Sequence, residues 1–165
     1  MTTLNNDVFG PALISPRVFT PAESLTPPPS GDEVEPAVSV DIAEAEAGMR
    51  PPIVQVGSLA PRRDFSDVRD IVRGYALALE RGEPGEVYNL GSECAWSIQE
   101  ILDILLGMSR VPLAVEPDPA RLRPLEVPVV VSDCRKFRAQ TGWCTTYTLV
   151  QSLRDVLEYW RERVK

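Results

Sequence analysis

Between Val54 and Tyr75 the chain must switch from one side-chain periodicity to another within a few residues, and that switch limits the folds open to it. The stretch reads Val-Gln-Val-Gly-Ser-Leu-Ala-Pro-Arg-Arg-Asp-Phe-Ser-Asp-Val-Arg-Asp-Ile-Val-Arg-Gly-Tyr. Val54 and Val56 alternate with Gln55, which predicts a strand over Ile53–Val56, and Gly57-Ser58 supplies a turn. Val68, Ile71, Val72, Tyr75 and Leu79 then recur at helical spacing. They predict a helix from Asp67 to Arg81, capped by Ser66, stopped by Gly82 and Pro84, and burying those five side chains. Arg63, held between strand and helix start near a glycine turn, fits a phosphate clamp. The competing reading pairs it with Asp64 or Asp67 on a wet surface.

The flanking segments extend the pattern. Asp41–Ala47 is a good helix former with a stop at Gly48, and Pro51-Pro52 force an extended entry to the strand. Glu86–Leu90 reads as a short strand ending at Gly91. Ser97-Ile-Gln-Glu100 is a capping box opening a helix that buries Ile98, Ile101, Leu102 and Leu105. Leu113–Val115 predicts a strand, and Pro117–Pro128 a loop long enough to suggest a functional one. After the apolar run Val129–Val131, Ser132-Asp133 can cap a helix to Thr141 that Gly142-Trp143 closes. A last helix starts at Thr148, with Thr148 to Gln151 as a second capping box. It buries Leu149, Leu153, Val156, Leu157, Trp160 and Val164, and leaves Arg154, Arg161 and Arg163 outside. No internal repeat is seen. Alternating helices and strands make the class α/β, with too few strands for a complete doubly wound domain.

Composition separates a first region and removes several functions. Seven of the 16 prolines lie within residues 1–37, which read as an irregular Pro-rich segment ahead of a folded region 38–165. A net charge of −7 argues against nucleic acid, which needs a basic face. No apolar run is long enough to span a membrane and no secretory signal opens the chain, so a cytoplasmic protein is expected. Cys94, Cys134 and Cys144 have no C-x-x-C spacing and are expected to be small buried residues in a reduced compartment. The absence of histidine removes Ser-His and Cys-His catalysis and any His-ligated metal.

Five segments in order carry a resemblance: residues 56–70, Gly85–Ser92, Ser97–Leu102, Arg123-Pro-Leu-Glu-Val127 and Asp133–Trp143. Together they resemble the C-terminal part of the NAD-dependent epimerase/dehydratase family, the extended short-chain dehydrogenases. They are most similar there to the GDP-mannose 4,6-dehydratases and GDP-6-deoxymannose reductases. The likeness covers about residues 39–165, with a weaker echo at Ser15–Ala22. It implies the C-terminal part of an extended Rossmann-type enzyme, short strands with five helices, lacking the N-terminal cofactor-binding half. It also implies that Arg63 and Arg123 hold a nucleotide-sugar diphosphate and that Glu126 contacts the nucleotide ribose. Guanidinium forks and a carboxylate suit those roles, although Arg123 could instead pair with Glu126. A GDP-linked hexose is the expected partner, and a dehydratase (lyase) or reductase (oxidoreductase) reaction the expected chemistry.

The family's hydride chemistry needs bound NAD(P) and a Tyr-x-x-x-Lys pair. Four residues after Tyr75, Tyr88, Tyr147 and Tyr159 stand Leu79, Ser92, Gln151 and Arg163, so the pair is missing. Gly82 and Gly85 end a helix rather than start one, so the phosphate-cradling glycine loop is missing too. No catalytic, cofactor or metal residue is therefore assigned. The chain reads as a truncated enzyme without activity alone. The alternatives are a non-catalytic binding module, a subunit paired with a separate cofactor-binding polypeptide, or an unstable remnant.

Overall fold

A computed structural model describes residues 13–14, 18–19, 34–122 and 127–164. The chain forms two compact units that interleave in sequence. The first comprises Met1–Thr20, Arg63–Ala95 and Val130–Leu149; the second comprises Pro21–Arg62, Trp96–Val129 and Val150–Lys165. Three of the five boundaries between them fall within short strands, β4 (Arg62–Asp64), β7 (Ala95–Ser97) and β9 (Val129–Val130). The sequence reading had no strand at β4 or β7. Three residues are too few for an alternation to show.

In the first unit, β1 (Leu13–Ile14) runs parallel to β6 (Tyr88–Asn89). Likewise β2 (Val18–Phe19) runs parallel to β5 (Ser66–Asp67). Both N-terminal strands fall inside the segment expected to be irregular. The helices are α2 (Val68–Arg81) and α4 (Arg135–Thr141). Their core gathers Ile71, Ala78, Tyr88, Leu90, Cys134, Phe137 and Trp143. Its rings meet at 5.4 Å (Tyr88–Phe137) and 5.8 Å (Phe137–Trp143).

Helix α2 differs from expectation in its face and in its cap. It turns Ile71, Gly74 and Ala78 inward, while Val72, Tyr75 and Leu79 are 58%, 37% and 67% exposed. The small residues decide this. A Cβ on Gly74 would come within 2.9 Å of Leu90 and 3.1 Å of the Trp143 indole nitrogen, so only this face lets the helix approach so closely. The cap is Asp67 rather than Ser66. Its carboxylate accepts from the Arg69 amide at 2.9 Å and holds the Arg69 guanidinium at 2.8 and 2.7 Å.

In the second unit, β3 (Ile53–Val56) pairs in parallel with β8 (Ala114–Pro117), Ile53 opposite Ala114 and Val56 opposite Pro117. Around them lie α1 (Val34–Glu46), α3 (Ile98–Gly107) and most of α5 (Leu149–Arg163). The buried residues include Val38, Ile42, Val54, Ile101, Leu102, Leu105, Leu153, Val156 and Leu157. The capping box opening α3 is present: Ser97 accepts from the Glu100 amide at 3.1 Å, and Glu100 from the Ser97 amide at 2.7 Å. Helix α1 starts seven residues before the expected Asp41, because Pro36 falls in its first turn, where its missing N–H costs nothing. Arg161, expected outside, is largely buried. It donates to Glu46 at 2.7 and 2.6 Å, to Glu158 at 2.8 Å and to the Met108 carbonyl at 2.9 Å. Those bonds tie α5 to the end of α1 and to the C-cap of α3. Trp160, expected in the core, is half-buried. Among the described residues no helix is long and apolar enough to cross a membrane.

Candidate functional site

Arg63 is the middle residue of β4 and is half-buried. The next residue, Asp64, is 8% exposed. Its Oδ1 accepts from the Ser92 amide at 2.8 Å and the Ser92 hydroxyl at 2.6 Å. Its Oδ2 accepts from the Glu93 amide at 3.1 Å and the Ser132 amide at 3.0 Å. A buried carboxylate is stable when hydrogen bonds replace its water, and here four do. Gly91 makes the approach possible, since a Cβ there would fall 2.6 Å from both the Asp64 carboxylate and the Ser132 hydroxyl.

Glu93 completes this cluster. Its φ of 60° is left-handed, an uncommon state for a residue with a side chain. Its carboxylate accepts from the Cys134 amide at 2.9 Å and pairs with Arg138. Burial, with the Glu93 and Asp64 carboxylates nearby, pushes the Cys134 thiol up to about 12, so it is neutral and inert. Cys134 is thus the buried cysteine expected, whereas Cys94 and Cys144 are exposed and correct that expectation. Asp64 and Asp67, the aspartates nearest Arg63 in sequence, are 8% and 4% exposed.

In the second unit the turn after β3 is pinned to α3. The Ile98 amide donates to the Pro61 carbonyl at 3.1 Å and the Gln99 amide to Leu59 at 3.0 Å. Arg62 donates its amide to Pro128 at 2.8 Å and pairs with Glu100 at 3.3 Å. Directly after β8, Asp118 donates its amide to Val56 at 2.8 Å, and a single 3-10 turn follows at Pro119–Arg121. Arg121 donates to the Gln55 carbonyl at 3.0 Å. Gly57 is required here, because a Cβ would meet the Arg121 carbonyl oxygen at 2.6 Å. The expected ligands Arg123 and Glu126 follow this turn and lie outside the described residues.

What the local reading missed is the anchoring: the carboxylate of Asp64, the left-handed Glu93 and the two close-packed glycines. Only the adjacency of Arg63 and Asp64 was visible, since the partners of Asp64 stand 28, 29 and 68 residues away.

The sequence model for GDP-mannose 4,6 dehydratase matches residues 23–156. The chain belongs to that family. It is 36% identical over 124 residues to GDP-6-deoxy-D-mannose reductase of Pseudomonas aeruginosa, covering 75% of this chain and 41% of that one. It is 25% identical over 158 residues to UDP-glucose 4-epimerase of Corynebacterium glutamicum, covering 91% and 46%. Among solved structures, RMD from Pseudomonas aeruginosa complexed with NADPH superposes with a TM-score of 0.76 at 31% identity, over 84% of this chain and 46% of that one. The family is one of Rossmann-type epimerases and dehydratases, and the α/β architecture with five helices agrees with it. The chain spans less than half the length of these relatives.

Proposed function

We propose that this chain is the nucleotide-sugar-binding portion of a sugar-nucleotide dehydratase or reductase, with a GDP-linked hexose as its ligand. Arg63 and Arg123 bind the diphosphate and Glu126 the ribose. The observation that carries the reading is Arg63 itself, fixed on β4 beside the buried, fully bonded Asp64, within a sequence matched by a GDP-mannose dehydratase family. The GDP preference draws on the 36% identical relative, whose name carries that nucleotide. Titration calorimetry with GDP-mannose tests it. Arg63→Ala is expected to weaken binding by about tenfold or more, the cost of a charge-assisted pair of hydrogen bonds. Equal affinity for wild type and variant sinks the assignment.

The 165-residue chain alone is proposed to be inactive. The family's cofactor supplies hydride transfer when bound, and the described residues do not fit it. The N-termini of α2 and α3 are each closed by a carboxylate, Asp67 and Glu100, which would repel a pyrophosphate. No glycine loop or Tyr-x-x-x-Lys stands elsewhere in the sequence. Incubation with GDP-mannose and NADP is expected to give no 4-keto sugar, and its appearance would overturn this part of the reading.

One observation favours a second reading, that the chain works with a separate cofactor-binding polypeptide. Val72, Tyr75 and Leu79 form an exposed apolar seam on α2, with spacings of three and four residues suited to packing a further layer. Co-expression with a polypeptide carrying a glycine loop and Tyr-x-x-x-Lys tests it. A complex that forms with wild type and is lost with Val72→Glu/Leu79→Glu supports pairing; two separately eluting chains refute it.

A further inference from the structure

We infer that Asp64 is a positioning residue, whose carboxylate fixes the backbone that presents Arg63 on β4. The inference rests on the nucleotide-sugar reading of Arg63 and goes beyond it by naming what holds that residue.

The geometry of the cluster carries this. Three of the four donors to Asp64 are main-chain amides, from two segments far apart in sequence: Ser92 and Glu93 after β6, and Ser132 after β9. The fourth is the Ser92 hydroxyl. A carboxylate held by amides fixes backbone rather than side chains. It fixes the strand bearing Arg63 to the chain at Ser92-Glu93 and at Ser132. Gly91 and the left-handed Glu93 show that the chain accepts a demanding local conformation to close this cluster. Such conformations persist where the surroundings determine them, and the Glu93 carboxylate, bound to the Cys134 amide and Arg138, is part of those surroundings. Binding a diphosphate with arginines costs side-chain freedom. Backbone fixed beforehand lowers that cost, and a small misplacement raises it sharply.

The same unit contains a matched comparison. Asp70 is also buried and also accepts four hydrogen bonds: from the Thr146 amide at 2.8 Å, the Thr146 hydroxyl at 2.6 Å, the Tyr147 amide at 3.0 Å and Arg73 at 2.7 Å. It ties α2 to the chain after α4, where no ligand-binding residue is assigned. A purely structural role makes the two aspartates equivalent; a positioning role separates them.

The experiment uses the full chain and its Asp64→Asn, Asp70→Asn, Arg63→Ala and Asp64→Asn/Arg63→Ala variants, with GDP as the probe. Both single Asn variants are expected to lower the melting temperature. Only Asp64→Asn is expected to weaken GDP binding, by about tenfold, the worth of one well-placed charge-assisted contact. Added to Arg63→Ala it is expected to cost less than it does alone, since coupled residues are not additive. Hydrogen exchange without ligand is expected to quicken around Ser92 and Ser132 in Asp64→Asn, and around Thr146 in Asp70→Asn. Should Asp64→Asn fail to fold, Ser92→Ala and Thr146→Ala remove one matched bond from each cluster. Ser92→Ala is then expected to weaken GDP by about threefold and Thr146→Ala to leave it unchanged. Equal effects on GDP from the two aspartates, or unchanged exchange around Ser132, overturn the inference. A wild type that binds no GDP contradicts the nucleotide-sugar reading instead, and the exchange comparison then still decides whether Asp64 holds the chain at Ser92 and Ser132.

Discussion

Asp70 sits fully buried in the first turn of α2, a position that leaves its carboxylate no water. Burial pushes its pKa up, but bonds from Thr146, Tyr147 and Arg73 outweigh that and hold it below the usual carboxylate range. Glu46 is likewise lowered: burial opposes ionisation, and Arg161 and the Arg110 amide overcome it. Asp41 goes the other way, raised by burial beyond what Arg50 offsets. A lowered folded-state pKa gives stability that is present above the unfolded value and lost as pH falls through the folded one. Asp41 contributes in the opposite sense and regains stability on acidification. With Asp70 and Glu46 on one side and Asp41 on the other, the melting temperature is expected to fall below about pH 4. Asp70→Asn is expected to cost about 1–3 kcal/mol at neutral pH and to flatten that acid limb. A melt series against pH checks both, and an unchanged limb contradicts the assignment. At the same scale, Cys94 and Cys144 are expected to react with a thiol reagent in the native protein and Cys134 only after unfolding. Native labelling of all three cysteines contradicts the placement of Cys134.

Elements whose signals are local were legible in the sequence, and those that depend on distant partners were not. The α3 capping box lies within four residues, and it formed as read. Gly48, Gly82 and Gly142 ended their helices as read, because a stop is also local. The buried face of α2 was misread because Leu90 and Trp143, which select Gly74, arrive from elsewhere in the chain. Arg161 was placed outside because a periodic pattern cannot show that Glu46 waits 115 residues away. Of the candidate site, only the adjacency of Arg63 and Asp64 was legible, while the anchoring cluster was not, because its donors stand 28, 29 and 68 residues away. Gly57 tests the element scale. Gly57→Ala puts a Cβ against the Arg121 main-chain oxygen, which cannot swing aside, and is expected to destabilise by about 1–3 kcal/mol. Hydrogen exchange over Asp118–Leu122 should quicken with it, and an unperturbed turn contradicts the packing described. Arg161→Met, which strands Glu46 in a buried setting, is expected to cost about 3 kcal/mol in denaturant melts.

For the whole molecule, the proposal to be tested is that this chain, which spans less than half the length of its relatives, binds a nucleotide sugar. The measurement that tests it most directly is calorimetric titration of the full chain with GDP-mannose, alongside Arg63→Ala and Arg154→Ala. Arg154 is an exposed arginine on α5 to which no role is assigned. The account predicts saturable one-site binding to wild type, little change with Arg154→Ala, and a loss of about tenfold or more with Arg63→Ala. Absence of saturable binding, or an equal response of the two arginine variants, would contradict it.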